Sequence, residues 1–145
     1  MSTILNFLSN DHRACDALFA SAESAAAQKN RVDARALFDQ FKTAMSHHLS
    51  MEETVLFPAF ETRIGNTMGP TQIMRMEHEQ MRGLMQSMAD ALEASDMEGY
   101  LGLSETLNIL MQQHNMKEET MLYPMSDKVL SGDQDSLIGA MQAVA

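Results

Sequence analysis

The sequence predicts an all-α chain, folded as an up-down-up-down four-helix bundle with a short C-terminal helix. Three observations carry that prediction. The composition favours helix over strand: 45% of residues are hydrophobic, Trp is absent, Pro is limited to three, and Met, Ala, Leu, Glu and Gln are plentiful. Apolar residues recur at steps of three and four along successive segments, the spacing of one buried helix face. The chain also repeats itself at an offset of 66 residues, which places His12 on His78, His48 on His114, Glu52 on Glu118, Glu53 on Glu119, Thr54 on Thr120, Leu56 on Leu122 and Pro58 on Pro124. Two similar helical hairpins are the simplest reading of that repeat, and 145 residues suit one domain spanning positions 1–145.

The first helix runs from about Thr3 past Phe7 and Leu18 to about Gln28, where "QKNRVD" offers a polar break at Asn30. The second begins near Val32, carries Leu37, Phe41, Ala44, Met45 and Leu49 on one face, and is expected to bend or end near Pro58, since a proline removes a helix hydrogen bond. The stretch "RIGNTMGPTQ" has two glycines and a proline suited to a first helical turn, so it reads as a loop feeding a third helix at about 71–94. "ASDMEG" supplies the next turn, with Asp96 as N-cap of a fourth helix that runs to about Tyr123, before Pro124. The tail "SGDQDSLIGAMQAVA" reads as a short amphipathic helix capped by Asp133.

Bulk charge narrows the function. A formal charge of -10 repels phosphate backbones and anionic lipid surfaces, so nucleic-acid and membrane partners are not expected. The single Cys15 excludes an internal disulfide, and "MSTILNFLSNDHR" has neither the basic start nor the apolar run of a signal peptide or a membrane span. A cytoplasmic location is the expectation.

The repeat points to a metal site. Within each half the two histidines stand 36 residues apart, with the proposed turns, Asn30 and Asp96, at their midpoints. In an antiparallel hairpin such residues lie at equal depth, about 27 Å from the bend at roughly 1.5 Å per residue. The midpoint of His48 and His78 is Arg63, again at a loop, so His12, His48, His78 and His114 converge on one level, with Glu52 and Glu118 each one turn from a histidine on the same face. Four imidazoles and two carboxylates are too many for one tetrahedral zinc and suit two borderline metals bridged by carboxylates. On this reading His12 and His48 hold one metal, His78 and His114 the other, and Glu52 and Glu118 bridge them, leaving positions for water or a small ligand. Without a metal, such groups buried at matched depth would cost several kcal/mol of desolvation.

The neighbours divide by the same repeat. His47 aligns with Gln113 and so lacks the symmetry mate a ligand should have. Glu53 and Glu119 repeat but point about 100° away from their predecessors. The methionines, Met45, Met74, Met81, Met85, Met88 and Met111 among them, read as adaptable core packing, and Cys15 as packing beside the site. Asp16 and Arg82 align one turn beyond His12 and His78, which suggests an ion pair between them or one that orients a ligand histidine. Ferritin-like bundles place Glu three residues before His, where Met45 and Met111 stand here, and "HEQMR" lacks the second histidine of a zinc-protease helix.

The paired "HxxxEE" followed by "LFP" and "LYP", with Asp11-His12 and Glu77-His78 upstream, resembles the haemerythrin-like, or HHE cation-binding, domain over residues from about 3 to 130. The resemblance implies a non-haem di-iron centre, oxo- or hydroxo-bridged, with His12, His48, His78 and His114 as terminal ligands and Glu52 and Glu118 as bridges. It further implies a protein that binds and reacts with nitric oxide, dioxygen or peroxide, as a di-iron oxidoreductase in nitrosative or oxidative stress or in iron handling, served by an electron-donor protein. Reversible dioxygen carriage or sensing, and metal storage, are the alternatives it carries. One position departs from the oxygen carriers of that family: they have a fifth histidine one turn before the position matched by His78, and Met74 stands there.

Overall fold

Four long rods and a short closing helix make up the structure, a computed structural model that describes residues 2–145. The elements are α1 (Ile4–Ala27), α2 (Arg31–Met51), a π-helical turn π1 (Glu52–Leu56), α3 (Phe57–Ile64), α4 (Pro70–Glu93), α5 (Met97–Lys117), a second π turn π2 (Glu118–Leu122), α6 (Tyr123–Val129) and α7 (Gln134–Gln142), with no strand among the described residues. The rods are α1, α2–π1–α3, α4 and α5–π2–α6. The expected helical bundle is therefore the fold observed.

The two hairpin turns are built alike. Lys29 and Ser95, 66 residues apart, both adopt left-handed backbone, with φ of 60° and 57°. Each is followed by a cap: the Asn30 side chain accepts from the Asp33 N–H at 3.1 Å, and that of Asp96 from the Gly99 N–H at 2.9 Å. These bonds satisfy donors that the first turn of a helix leaves unpaired. The rods run antiparallel from there, so Phe19 meets Phe41 at 5.2 Å between ring centres and, further from the turn, His12 meets His48 at 4.5 Å. At the same end, Arg31 Nε donates to the Leu92 carbonyl and ties the two hairpins together.

Burial divides the interior into three levels. Near the hairpin turns lies an apolar cluster that includes Phe19, Phe38, Phe41, Met85, Tyr100 and Leu107, and at the opposite end a second one includes Ile4, Leu8, Phe57, Phe60, Tyr123 and Met141. The methionines singled out in the sequence fall within these two clusters. Between them runs a belt in which the buried side chains are His12, His48, Glu52, His78, His114 and Glu118. Helix α7 places Ile138 and Met141 in the second cluster and lies against π1, so it closes that end of the bundle.

Two expectations require correction. The fourth helix does not stop before Pro124, and the second, expected to bend or end near Pro58, does not end there: both rods pass through a π turn and continue in helix, to Ile64 and Val129. Pro58 and Pro124 have no N–H to give and their rings crowd the carbonyl four residues back. Widening the preceding turn by one residue relieves both problems, because the Phe57 N–H then bonds the Glu52 carbonyl, and the Tyr123 N–H the Glu118 carbonyl, five residues back. Thr54 and Thr120 hydroxyls each donate to a carbonyl four residues earlier, Ser50 and Met116, both at 2.6 Å, within the widened region. The second correction concerns Asp133, which occupies the N-cap position of α7 but makes no capping bond. Its carboxylate accepts instead from Arg63 at 2.6 Å.

The start of α1 is held from a distance. Asp127, on α6, accepts from the Ile4 and Leu5 N–H groups at 2.8 and 3.0 Å. Asp127→Ala is expected to destabilise the fold by about 1–2 kcal/mol, the usual cost of losing a helix cap, with faster amide exchange at Ile4 and Leu5. Thermal unfolding with residue-resolved exchange measures both, and unchanged exchange at those two amides would contradict the assignment.

Candidate metal centre

Each rod contributes to the belt from a defined place. α1 supplies His12 and α4 supplies His78 from mid-helix, whereas α2 and α5 supply His48 and His114 from their last turn. Glu52 and Glu118 open the π turns that follow. His12 pairs with His48, as noted, and His78 with His114 at 5.0 Å between ring centres.

The glutamates cross between those pairs. Glu52 Oε1 lies 3.6 Å from His48 Nε2 on its own rod and 3.1 Å from His78 Nε2 on α4. Glu118 Oε1 lies 3.2 Å from His114 Nε2 and 3.1 Å from His12 Nε2. Each carboxylate therefore touches one histidine of each pair. Ligand-type atoms of Glu52, His78, His114 and Glu118, and again of His12, His48 and Glu118, lie within 4.8 Å of one another.

Behind the imidazoles stands a closed collar of carboxylates. Asp11 of α1 accepts from His48 Nδ1 at 2.7 Å, Glu53 of π1 from His78 Nδ1 at 2.8 Å, Glu77 of α4 from His114 Nδ1 at 2.8 Å, and Glu119 of π2 from His12 Nδ1 at 2.7 Å. The collar passes from rod to rod until it returns to α1. A carboxylate on Nδ1 fixes the ring's tautomer and orientation and leaves the Nε2 lone pair pointing into the belt. The doublets in the sequence now have a physical role: one member of each reaches into the belt and its neighbour, about 100° around the helix, supports a ring on the adjacent rod. Glu53 and Glu119, whose bearing pointed away from the centre, are thus placed behind histidines of other rods.

Several other predicted positions find specific places. Arg82 does not pair with Asp16; its guanidinium forks onto Glu53 at 2.7 and 2.8 Å and also reaches Glu79. Asp16 accepts from Gln112 at 3.4 Å. His47 lies outside the belt and its Nε2 donates to the Val144 carbonyl at 3.0 Å. Met74 is buried in the second apolar cluster. Cys15 is buried, and burial with the charges of Asp11 and Asp16 pushes its thiol up to about 12, so it offers no thiolate.

One residue at the centre escaped the sequence reading. The Tyr123 hydroxyl is buried 2.6 Å from Glu52 Oε2, 2.9 Å from Glu118 Oε1 and 3.2 Å from His12 Nε2, with its ring stacked at 5.6 Å on His12. Its repeat mate Phe57 stacks at 5.4 Å on His78 and has no hydroxyl to offer. The signal available in the sequence was the difference between "LFP" and "LYP".

Whether these residues fit a metal can be judged from their unsatisfied atoms. His48 Nε2, Glu52 Oε1, His78 Nε2, His114 Nε2 and Glu118 Oε2 are buried with no hydrogen-bond partner. Buried polar atoms are rarely left so. With Nδ1 of each ring donating outward, a neutral ring turns its Nε2 lone pair toward carboxylate oxygens, an arrangement that a cation, whether a metal ion or a proton, satisfies. A set of imidazoles and carboxylates without thiolate suits a borderline divalent metal such as iron.

The model of the Hemerythrin HHE cation binding domain matches residues 3–126, a span that holds all six belt residues, the four collar carboxylates and Tyr123. No curated protein and no solved structure matches the chain.

Protons compete with metal for this centre. Burial, the largest single influence, would lower His114, but the charge and hydrogen bond of Glu118, with Glu52 and Glu77, outweigh it and raise His114 to about 9. His12 is raised by the same opposition. Burial, followed by the charge of Glu118, raises Glu52. In metal-free protein the contribution of His114 to stability is therefore complete below its unfolded value of about 6.5 and is lost as pH rises through about 9. Metal uptake at pH 7 is expected to release protons, and the share due to His114 to vanish above about 9. Indicator titration during metal addition reads this directly; uptake at pH 7 with no proton release would be the contrary result.

Proposed function

The chain belongs to the hemerythrin HHE cation-binding family, and from that premise we propose that it is a non-haem di-iron protein that binds and reacts with a small oxidant: nitric oxide, dioxygen or peroxide. The observation that carries this reading is the set of orphaned ligand-type atoms in the belt, divided so that each glutamate touches one histidine of each pair. Two metals would then take His12 with His48 and His78 with His114, and Glu52 and Glu118 would bridge them. When bound, iron supplies electrons and Lewis acidity at positions the protein leaves free.

The rest is the work of this chain's own residues. The collar holds the rings in one orientation, which lowers the reorganisation needed on binding. Phe57 and Tyr123 stack over His78 and His12 and keep water from that side. The Tyr123 hydroxyl can hold a proton at Glu52 Oε2. A pocket of 340 Å³ between the start of α4 and the π2–α6 region is lined by Ile73, Met74, Met121, Leu122 and Met125, with Lys117 as its one charged residue. Its inner residues Met74 and Leu122 belong to the same apolar cluster as Phe57 and Tyr123, which favours a small uncharged molecule as the ligand. A dioxygen carrier needs one metal saturated and one open; here the histidines divide two and two, and Met74 offers no imidazole.

Protein loaded anaerobically with ferrous iron is expected to hold two metals per chain. Glu52→Ala and Glu118→Ala should each weaken loading of both positions by at least about 10-fold, while His47→Ala leaves it unchanged. A stoichiometry of one would overturn the dinuclear reading. Stopped-flow spectra with nitric oxide, dioxygen and peroxide then identify the oxidant, and Met74→His is expected to slow turnover of nitric oxide or peroxide by about 10-fold at equal iron loading, by occupying an exchangeable position. Equal turnover in the two proteins would favour a carrier or sensor.

A further inference from the structure

The repeat that builds the belt fails behind it, and it fails in charge. Arg82 has Asp16 as its mate at the offset of 66, and Lys117 has Met51. Both cations act on the collar of one histidine pair. Arg82 binds Glu53, which supports His78, through two short bonds, and Lys117 donates to Glu77, which supports His114. Burial would raise both carboxyls, yet Arg82 and Lys117, with the histidines, hold them below the ordinary glutamate range.

Among the described residues the other pair has no Arg or Lys seated on its carboxylates, and Asp11 is held below its ordinary range by histidines alone. Where symmetry would place a cation beside Glu119, the carboxylate behind His12, Asp16 stands, and burial, with a smaller contribution from Glu119, raises its carboxyl against the opposing influence of His12 and Gln112. Where symmetry would place one beside Asp11, behind His48, the apolar Met51 is buried. Asp11 and Asp16 both bear on Cys15 as negative charges, and the one further basic group that bears on Asp11 outside the belt is the ring of His47, which is bonded to Val144. Tyr123 is uncharged and touches both glutamates, which serve the two pairs alike.

A carboxylate on Nδ1 makes an imidazole a stronger donor, and a cation seated on that carboxylate withdraws part of the effect. We propose that the two halves of the centre are electrostatically unequal: the His12–His48 half takes the first metal ion and better supports its positive charge, and Arg82 and Lys117 are positioning residues that weaken the His78–His114 half. This rests on the two-metal reading above. Arg82 and Lys117 are partly exposed, so solvent screens some of their influence, and the expected preference is about 10-fold, the lower end of what altering a ligand's outer hydrogen-bond partner does.

Cobalt(II) is the probe. Excess cobalt first establishes the stoichiometry: one ion per chain overturns the two-metal reading and this inference with it, whereas two ions leave the inequality to be decided separately. At one equivalent, the paramagnetically shifted Nδ1–H resonances, assigned with His12→Gln and His78→Gln, report which pair is occupied. Wild-type protein is expected to favour His12–His48 by about 10-fold. Arg82→Gln with Lys117→Gln should bring that preference to within about threefold, whereas Arg82→Lys with Lys117→Arg, which keeps both charges, should retain it. Asp16→Arg approaches the same equality from the other half without removing an ion pair. Equal or reversed occupancy in the wild type, or a preference that both charge changes leave unaltered, would overturn the inequality while leaving the dinuclear centre in place.

Discussion

The constraint on which the structure depends is the cost of taking four imidazoles and two carboxylates out of water at one level of an apolar bundle. Unpaired, such groups would each cost kilocalories, and the two apolar clusters that enclose the belt leave no solvent to satisfy them. The collar resolves half of that difficulty. It gives every Nδ1 a carboxylate and places those carboxylates toward the surface, where their remaining lone pairs meet water, Arg82 or Lys117. What it does not satisfy is the inward set of Nε2 and carboxylate oxygens. The same geometry that rigidifies the rings creates the demand for a cation, so stability of the fold and affinity for metal are linked.

The π turns make this arrangement possible at two of the four rods. An uninterrupted α-helix would carry Phe57 and Tyr123 well around the rod from Glu52 and Glu118, since successive residues advance by about 100°. With five residues to a hydrogen-bonded turn, the aromatic ring returns to the glutamate's face and stacks over a histidine of another rod. Pro58 and Pro124 are the residues that tolerate, and reinforce, the wider turn. A motif of acidic pair, threonine, two intervening residues, aromatic and proline is thus one structural device, in which the threonine hydroxyl supplies a bond where the backbone ladder is loosened.

The internal repeat accounts for the symmetry of belt and collar, and its limits mark where the halves differ. The turns, caps, histidines, glutamates and collar positions all obey the offset of 66 residues. Around the centre the departures that change charge or hydrogen bonding include Tyr123 against Phe57, Arg82 against Asp16 and Lys117 against Met51. None of them alters the backbone. They change hydrogen bonding and charge around a scaffold that two hairpins share.

Legible in the chain alone were the helical class, the hairpin turns at Asn30 and Asp96, the core methionines such as Met45, Met81 and Met111, and the convergence of His12, His48, His78, His114, Glu52 and Glu118. They were legible because helix periodicity and equal distance from a turn are local quantities that project onto depth without knowledge of packing. Tertiary structure decided the rest. Which carboxylate supports which ring depends on how neighbouring rods are rotated about their axes, so the collar was hidden in doublets whose second members pointed away from the centre on their own helices. Of the two arrangements expected of Asp16 and Arg82, the direct pair is not formed, because equal depth does not set direction; Arg82 instead makes an ion pair behind a belt histidine, holding Glu53 on the rod beside it, which accepts from His78. The passage of both rods through their prolines, and the arrival of Tyr123 among the glutamates, depend on a change of helical phase that a fixed period of 3.6 residues does not contain.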